Sequence, residues 1–172
     1  MSIPKVIHYC WIGGNPLPKS AEKCIKSWQK YCPDYEIKCW DETNFDVNCN
    51  AYCKFCYENK KWAFVSDYVR LYALNNYGGI YLDTDVQVFH SFDTLLNAEA
   101  FFGFESNDYV CTAVMASSQK HWFIREFLED YTNRHFIKND GTLDMITTNV
   151  VVLTRLLVKH GLILNGKQQD VK

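Results

Sequence analysis

The densest chemistry in this sequence lies in Gly78-Gly79-Ile80-Tyr81-Leu82-Asp83-Thr84-Asp85. Its apolar run reads as a buried strand that delivers two carboxylates, one residue apart, at its C-terminal end. Residues i and i+2 of an extended chain point the same way, so Asp83 and Asp85 can face one ligand. Two convergent carboxylates suit a hard divalent cation such as Mg²⁺ or Mn²⁺. Such an ion keeps positions for substrate oxygens and can bridge to a diphosphate. In an open α/β sheet, ligands gather at the C-terminal edge of the strands. The plainer alternative is a turn cap, because Asp is common after strands. Asp-x-Asp alone is a short pattern, and the Gly-Gly-apolar-Tyr-apolar prefix is what makes it specific.

A second group lies just upstream, in Ser66-Asp67-Tyr68-Val69-Arg70. Asp67 and Arg70 are three apart and share one face of a helix. Exposed, they form an ordinary i,i+3 ion pair. Partly buried among Phe64, Val65, Val69 and Leu71, they need a reason to be there, and recognition of sugar hydroxyls is one. The third group is Trp11 beside Gly13-Gly14. An indole at a strand end can stack on a nucleobase while glycines let the backbone approach a ligand closely. The alternative is a core tryptophan. His8, on the same strand, reads as a packed histidine rather than a catalytic one.

The elements that must position these groups follow from periodicity and punctuation. Lys5–Ile12 reads as a strand stopped by Gly13-Gly14-Asn15-Pro16. A helix with Ala21, Cys24, Ile25 and Trp28 on one face follows, then a strand over Tyr35–Trp40. Helices are expected over Cys49–Asn59 and Lys61–Tyr77, the second stopped by Gly78. After the Gly79–Leu82 strand come a strand or extended segment at Val86–Phe89 and strands at Ala100–Phe104 and Tyr109–Ala116. Helices at Trp122–Arg134 and Asn149–Lys159 and a short strand at Leu162–Leu164 complete the pattern. The alternation is that of an α/β domain, and 172 residues make one domain, 1–172.

Composition excludes several classes. Hydrophobic residues make up 48% and aromatics 16%, which rules out disorder. The net charge of -2 leaves no basic excess for a nucleic-acid backbone. No apolar run reaches the roughly 18–20 residues of a membrane helix, and the N-terminal stretch reads as a strand rather than an export signal. A cytoplasmic location, with reduced thiols, is therefore expected for the eight cysteines. Cys49, Cys53 and Cys56 have spacing that could form part of a metal clip. The interleaved Tyr52, Phe55 and Tyr57 suit structural thiols on a helix instead.

Taken together and in order, Ile3–Gly14, Ala63–Arg70 and Gly78–Asp85 resemble the Asp-x-Asp glycosyltransferases. The best match is glycosyltransferase family 32, with its capsular-polysaccharide and mannosyltransferase-like bacterial members. Yeast initiating mannosyltransferases and the glucosyltransferase domains of large clostridial toxins share the same core motifs. The resemblance spans essentially the whole chain and includes Phe104–Asn107 and Leu143–Asn149. It implies a GT-A fold, a Rossmann-like mixed sheet flanked by helices. It also implies a retaining reaction and a divalent cation, Mn²⁺ or Mg²⁺. By position, Trp11 with Gly13 would hold the nucleotide, while Ser66, Asp67 and Arg70 would line the sugar and diphosphate. Tyr81 would contact the diphosphate or nucleotide. Asp83 would contact the ribose and the metal's surroundings, and Asp85 would ligate the metal. Asp144 and Asn149 fall near the sugar or acceptor. The implied partners are a nucleotide-sugar donor, UDP-hexose first and GDP-mannose second, and a glycan or lipid-linked oligosaccharide acceptor. The acceptor would be the route to any peripheral membrane association.

Two other readings compete. A glycoside hydrolase needs carboxylates about 5–10 Å apart across a sugar, which two residues at one strand end do not provide. Family members also generally finish with a His-containing segment that closes over the metal, and none follows Leu164. The resemblance therefore leads one to expect a missing C-terminal end, and leaves a nucleotide-sugar-binding module without its lid as the alternative.

Overall fold

A computed structural model describes residues 2–132, 134–138 and 140–171. The chain runs β1 (Val6–Cys10), α1 (Lys19–Tyr31), β2 (Glu36–Trp40), α2 (Ala51–Glu58), α3 (Trp62–Tyr77), β3 (Gly79–Leu82), β4 (Ala100–Phe104), β5 (Val110–Ser117), α4 (Trp122–Asp130) and α5 (Asn149–Lys159). The five strands form one mixed sheet in the order β2-β1-β3-β5-β4. β1 pairs in parallel with both β2 and β3, whereas β5 runs antiparallel to β3 and β4. Helices flank the sheet on both faces, so the α/β mixed-sheet class expected from the sequence is the one observed.

Strand alternation builds the two faces. Ile7, Tyr9, Ile80, Leu82 and Ala116 point to one side and pack with Cys24 and Trp28 of α1. Cys10, Tyr81 and Met115 point to the other and pack with α2, α3, α4 and α5. The central strand β3 is buried on both faces, as its unbroken apolar sequence requires.

The α3–β3 connection is the tightest joint. Gly78 ends α3 with its N–H on the Leu74 carbonyl. Gly78 and Gly79 have φ of 66° and 103°, which glycine adopts freely. A Cβ on Gly78 would lie 2.6 Å from the Gln119 main-chain nitrogen, and one on Gly79 2.6 Å from the Val6 carbonyl oxygen. No other residue type fits. The helix thus folds straight back along the strand, and its N-terminal half lies beside the strand's C-terminal end.

His8 pins the joint from the neighbouring strand. Trp40 Nε1, which can only donate, reaches His8 Nδ1 at 3.2 Å. The ring therefore carries its proton on Nε2, which donates to the Gly78 carbonyl at 2.8 Å. The packed role expected of His8 is the observed one.

Some expectations are corrected. Leu162–Leu164 does not form a strand. Ile163 is 65% exposed, and its N–H and carbonyl are satisfied by the Gln169 side chain, both at 2.8 Å. The fourth helix ends at Asp130 with Tyr131 as its cap, short of Arg134. Residues 86–89 join no strand ladder. For the cysteines the expected structural role holds at Cys53 and Cys56, which are buried on α2, whereas Cys49 is exposed; the eight cysteines are free thiols. Among the described residues no cluster of three or more His, Cys, Asp or Glu is arranged to hold a metal. No described helix is long and apolar enough to cross a membrane.

Burial pushes the His8 imidazole down to about 4. A histidine at about 6.5 in the unfolded chain takes up its proton first there, so His8 contributes stability above pH 6.5 that is lost as pH falls towards 4. In denaturation of His8→Gln beside the parent at pH 7.5 and 4.5, the stability gap is expected to narrow by about 3 kcal/mol at the lower pH. A gap that does not change with pH would contradict this.

Candidate active site

A cleft of about 530 Å³ opens where the C-terminal ends of β1 and β3 meet the N-terminal half of α3. Helical spacing explains which α3 residues face it. Trp62, Ser66 and Arg70 lie four apart on one stripe, and Ala63 and Asp67 flank it, again four apart. The strand ends supply Cys10, Trp11, Tyr81, Asp83 and Asp85, and β5 supplies Thr112.

Arg70 is the centre of the arrangement and is only 4% exposed. Its Nη2 lies 3.0 Å from Asp67 Oδ1 and 3.3 Å from Asp83 Oδ1, and Nη1 lies 3.5 Å from Asp83 Oδ2. Nη1 also donates to the Thr112 carbonyl, and Nη2 donates to Ser66 Oγ at 3.4 Å. The guanidinium sits 4.7 Å from the centroid of the Tyr81 ring. Its Nε has no hydrogen-bond partner among the described residues.

The three carboxylates differ in their surroundings. Asp67 is 14% exposed, and burial pushes it up to about 6 despite the opposing pull of Arg70, with Asp83 adding to the rise. Asp83 is 31% exposed and shares Arg70. Asp85 is exposed and has no protein partner among the described residues. The cleft thus carries two carboxylates neutralised in part by one cation and a third that is open.

The other end of the cleft is aromatic. Trp11 Nε1 donates to the Asn15 carbonyl at 2.6 Å, which fixes the indole edge. Gly13 has φ of 105°, and its N–H donates to Glu42 Oε1 at 2.7 Å. A Cβ there would lie 2.8 Å from Trp62 Cε2, so the loop rests on the Trp62 ring. Tyr57 donates its hydroxyl to the same Glu42 oxygen at 3.3 Å.

The fold therefore brings together Trp11, Ser66, Asp67, Arg70, Tyr81, Asp83 and Asp85, with Gly13 holding the rim. Two sequence candidates lie elsewhere. Asp144 Oδ1 accepts the N–H groups of Ile146 and Thr147 at 3.2 and 3.0 Å, which closes a turn ahead of α5. Asn149 is buried behind Asp67, with its amide donating to the Asp67 carbonyl at 3.3 Å. Neither lines the cleft. Trp62, Asn15 and Thr112 line it without having been singled out in the sequence. For Trp62 the signal was present, four residues before Ser66 on a helix already expected.

Residues 18–102 match the family described as the glycosyltransferase sugar-binding region containing the DXD motif. Inositol phosphoceramide mannosyltransferase 3 of Schizosaccharomyces pombe is 31% identical over 78% of this chain and 40% of its own length. Mannosyl phosphorylinositol ceramide synthase CSH1 of Saccharomyces cerevisiae is 30% identical over 80% of this chain and 37% of its own. The chain thus spans about two fifths of the length of these relatives. The solved structure of the PaToxG glycosyltransferase superposes with a TM-score of 0.68 at 21% identity, covering 92% of this chain and 69% of that one, so the two share a fold. The matched region includes Asp83-Thr84-Asp85 at the end of the strand that faces Arg70, so residues 18–102 are similar to the glycosyltransferase sugar-binding region that contains the DXD motif.

Proposed function

We propose that the cleft binds a nucleotide-diphosphate hexose with a divalent cation, and that the chain transfers the hexose, with retention at the anomeric carbon, to a glycan or lipid-linked acceptor. One observation carries this reading: Arg70 stands between Asp67 and Asp83 while Asp85 stays open at the same strand end. UDP-hexose and GDP-mannose are the two donors that the motifs suggest. The mannosyl transfer in the names of the two yeast relatives supports the second.

The donor set fits a hard metal ion. Three carboxylates against one guanidinium leave the cleft negative, so a diphosphate entering alone would be repelled. Asp85 and Asp83 offer oxygen ligands and would hold Mn²⁺ or Mg²⁺ jointly with diphosphate oxygens. The ion's chemistry there is neutralisation of charge on the departing diphosphate.

The chain's own residues do the rest. Trp11 presents its indole face to the base while its N–H is tied to Asn15. Ser66 and Arg70 face the diphosphate, and Arg70 adds a fixed positive charge in a water-poor site. Asp67 accepts hydrogen bonds from sugar hydroxyls and orients the ring for attack.

Calorimetry with UDP-glucose and GDP-mannose, with and without Mn²⁺, tests the reading. One of the two is expected to bind in the presence of metal, and Asp85→Ala to weaken that binding roughly tenfold or more. Failure of both donors to bind would end the donor-site reading. Metal dependence that survives Asp85→Ala would remove Asp85 as a ligand. Binding without transfer or slow donor hydrolysis would favour a binding module.

Because Asp67 titrates at about 6, donor affinity should fall roughly tenfold between pH 7.5 and 5. In Asp67→Asn the affinity should be low and nearly flat over that range. Arg70→Met should cost about 3 kcal/mol of stability at pH 7.5, since two carboxylates lose their counter-charge. The cost should shrink at pH 5.5, where Asp67 can take up a proton, as read by denaturant titration at both values.

A further inference from the structure

Behind Asp67, on the side away from the cleft, lies a buried polar chain that the donor-site residues do not include. Tyr131 caps α4 and is fully buried. Its hydroxyl donates to Asn149 Oδ1 at 2.9 Å, and Asn149 Nδ2 donates to the Asp67 carbonyl at 3.3 Å. The Asn149 amide is also among the groups that favour the ionised Asp67 carboxylate. Asn50, which caps α2, donates from Nδ2 to the Tyr131 carbonyl at 3.1 Å.

The ring of Tyr131 is held as firmly as its polar atoms. It meets Tyr52 and Tyr68 edge-on with centroids 5.1 and 5.6 Å away. The Arg134 guanidinium lies 4.5 Å from its centroid. One tyrosine therefore ties α2, α3, α4 and α5 together at the level of Asp67. Tyr131 and Asn149 do not line the cleft, and the hydrogen-bond chain that joins them to it ends on the Asp67 main-chain carbonyl.

A carboxylate that reads sugar hydroxyls must be held within about 0.5 Å and 10–20° of its working geometry by its supporting shell. Among the described residues that line the cleft, Arg70 is the one paired with the Asp67 carboxylate. We infer that Tyr131 and Asn149 are positioning residues for the donor sugar, acting from behind by fixing Asp67 through the Tyr131–Asn149–Asp67 hydrogen-bond chain. The inference rests on the donor-site reading and makes a narrower claim: loss of this chain weakens recognition of the sugar and spares the nucleoside diphosphate.

The test compares calorimetric affinities for UDP and UDP-glucose, and for GDP and GDP-mannose, each with Mn²⁺. The proteins are the parent, Tyr131→Phe, Asn149→Ala and Asp67→Asn. Tyr131→Phe keeps the ring packing and removes only the hydroxyl, so it guards against a general folding defect. For the donor pair that the parent binds, nucleotide-sugar affinity should fall roughly 3- to 10-fold in Tyr131→Phe and Asn149→Ala, with less than about twofold change for the nucleoside diphosphate. Adding Tyr131→Phe to Asp67→Asn should cause no further loss, because the chain ends on the Asp67 main chain and reaches the sugar only through the carboxylate that this residue bears. Equal weakening of sugar and sugar-free nucleotides, unchanged affinity for both, or additive losses in the double variant would overturn the proposal while leaving the donor site standing. A parent that binds neither nucleotide sugar overturns both.

Discussion

A guanidinium shared by two carboxylates, all three drawn largely out of water, sets the terms for this domain. Taking charges out of water costs several kcal/mol per ion unless each finds a partner. Arg70 meets that requirement for Asp67 and Asp83 and donates a further hydrogen bond to the Thr112 carbonyl. The trio holds only if α3 and β3 lie close and in fixed register. That explains two successive glycines with left-handed φ at the joint, a neutral histidine bonded to the first of them, and a central strand with no polar residue.

The arrangement also runs against stability. An Asp raised to about 6 in the fold opposes folding above that pH by about 3 kcal/mol relative to its state in the unfolded chain. The aromatic residues offset such costs. Trp40, Phe123, Tyr131 and Phe136 are almost fully buried and pack in edge-on pairs on the sheet face that carries α3. Most of the aromatic residues are core or pack against it, with Trp11 and Trp62 at the aromatic end of the cleft.

What could be read in the sequence was local. The glycine pair, the strand and its two aspartates, and the helical spacing of Asp67 and Arg70 are adjacent in the chain, and their geometry follows from helix and strand periods alone. What could not be read depends on contacts far apart in sequence. Glu42 reaches Gly13 across 29 residues, and Asn149 reaches Asp67 across 82. Asn149 was noticed, but its place behind the carboxylate rather than in the cleft is set by how α5 docks. Leu162–Leu164 has a strand-like composition, yet a glutamine side chain satisfies its backbone where no neighbouring strand is available.

The α3–β3 joint has a consequence for the order in which the domain assembles. Arg70 and Asp83 are separated by 13 residues, with a two-glycine turn between them. Closing so short a loop costs little chain entropy, and contacts of this kind form ahead of distant ones. The Thr112 carbonyl that locks the guanidinium in place lies 42 residues away and arrives only when β5 docks. The charged centre is therefore sketched by a local hairpin while water still surrounds it, and the ions are desolvated only after they have met.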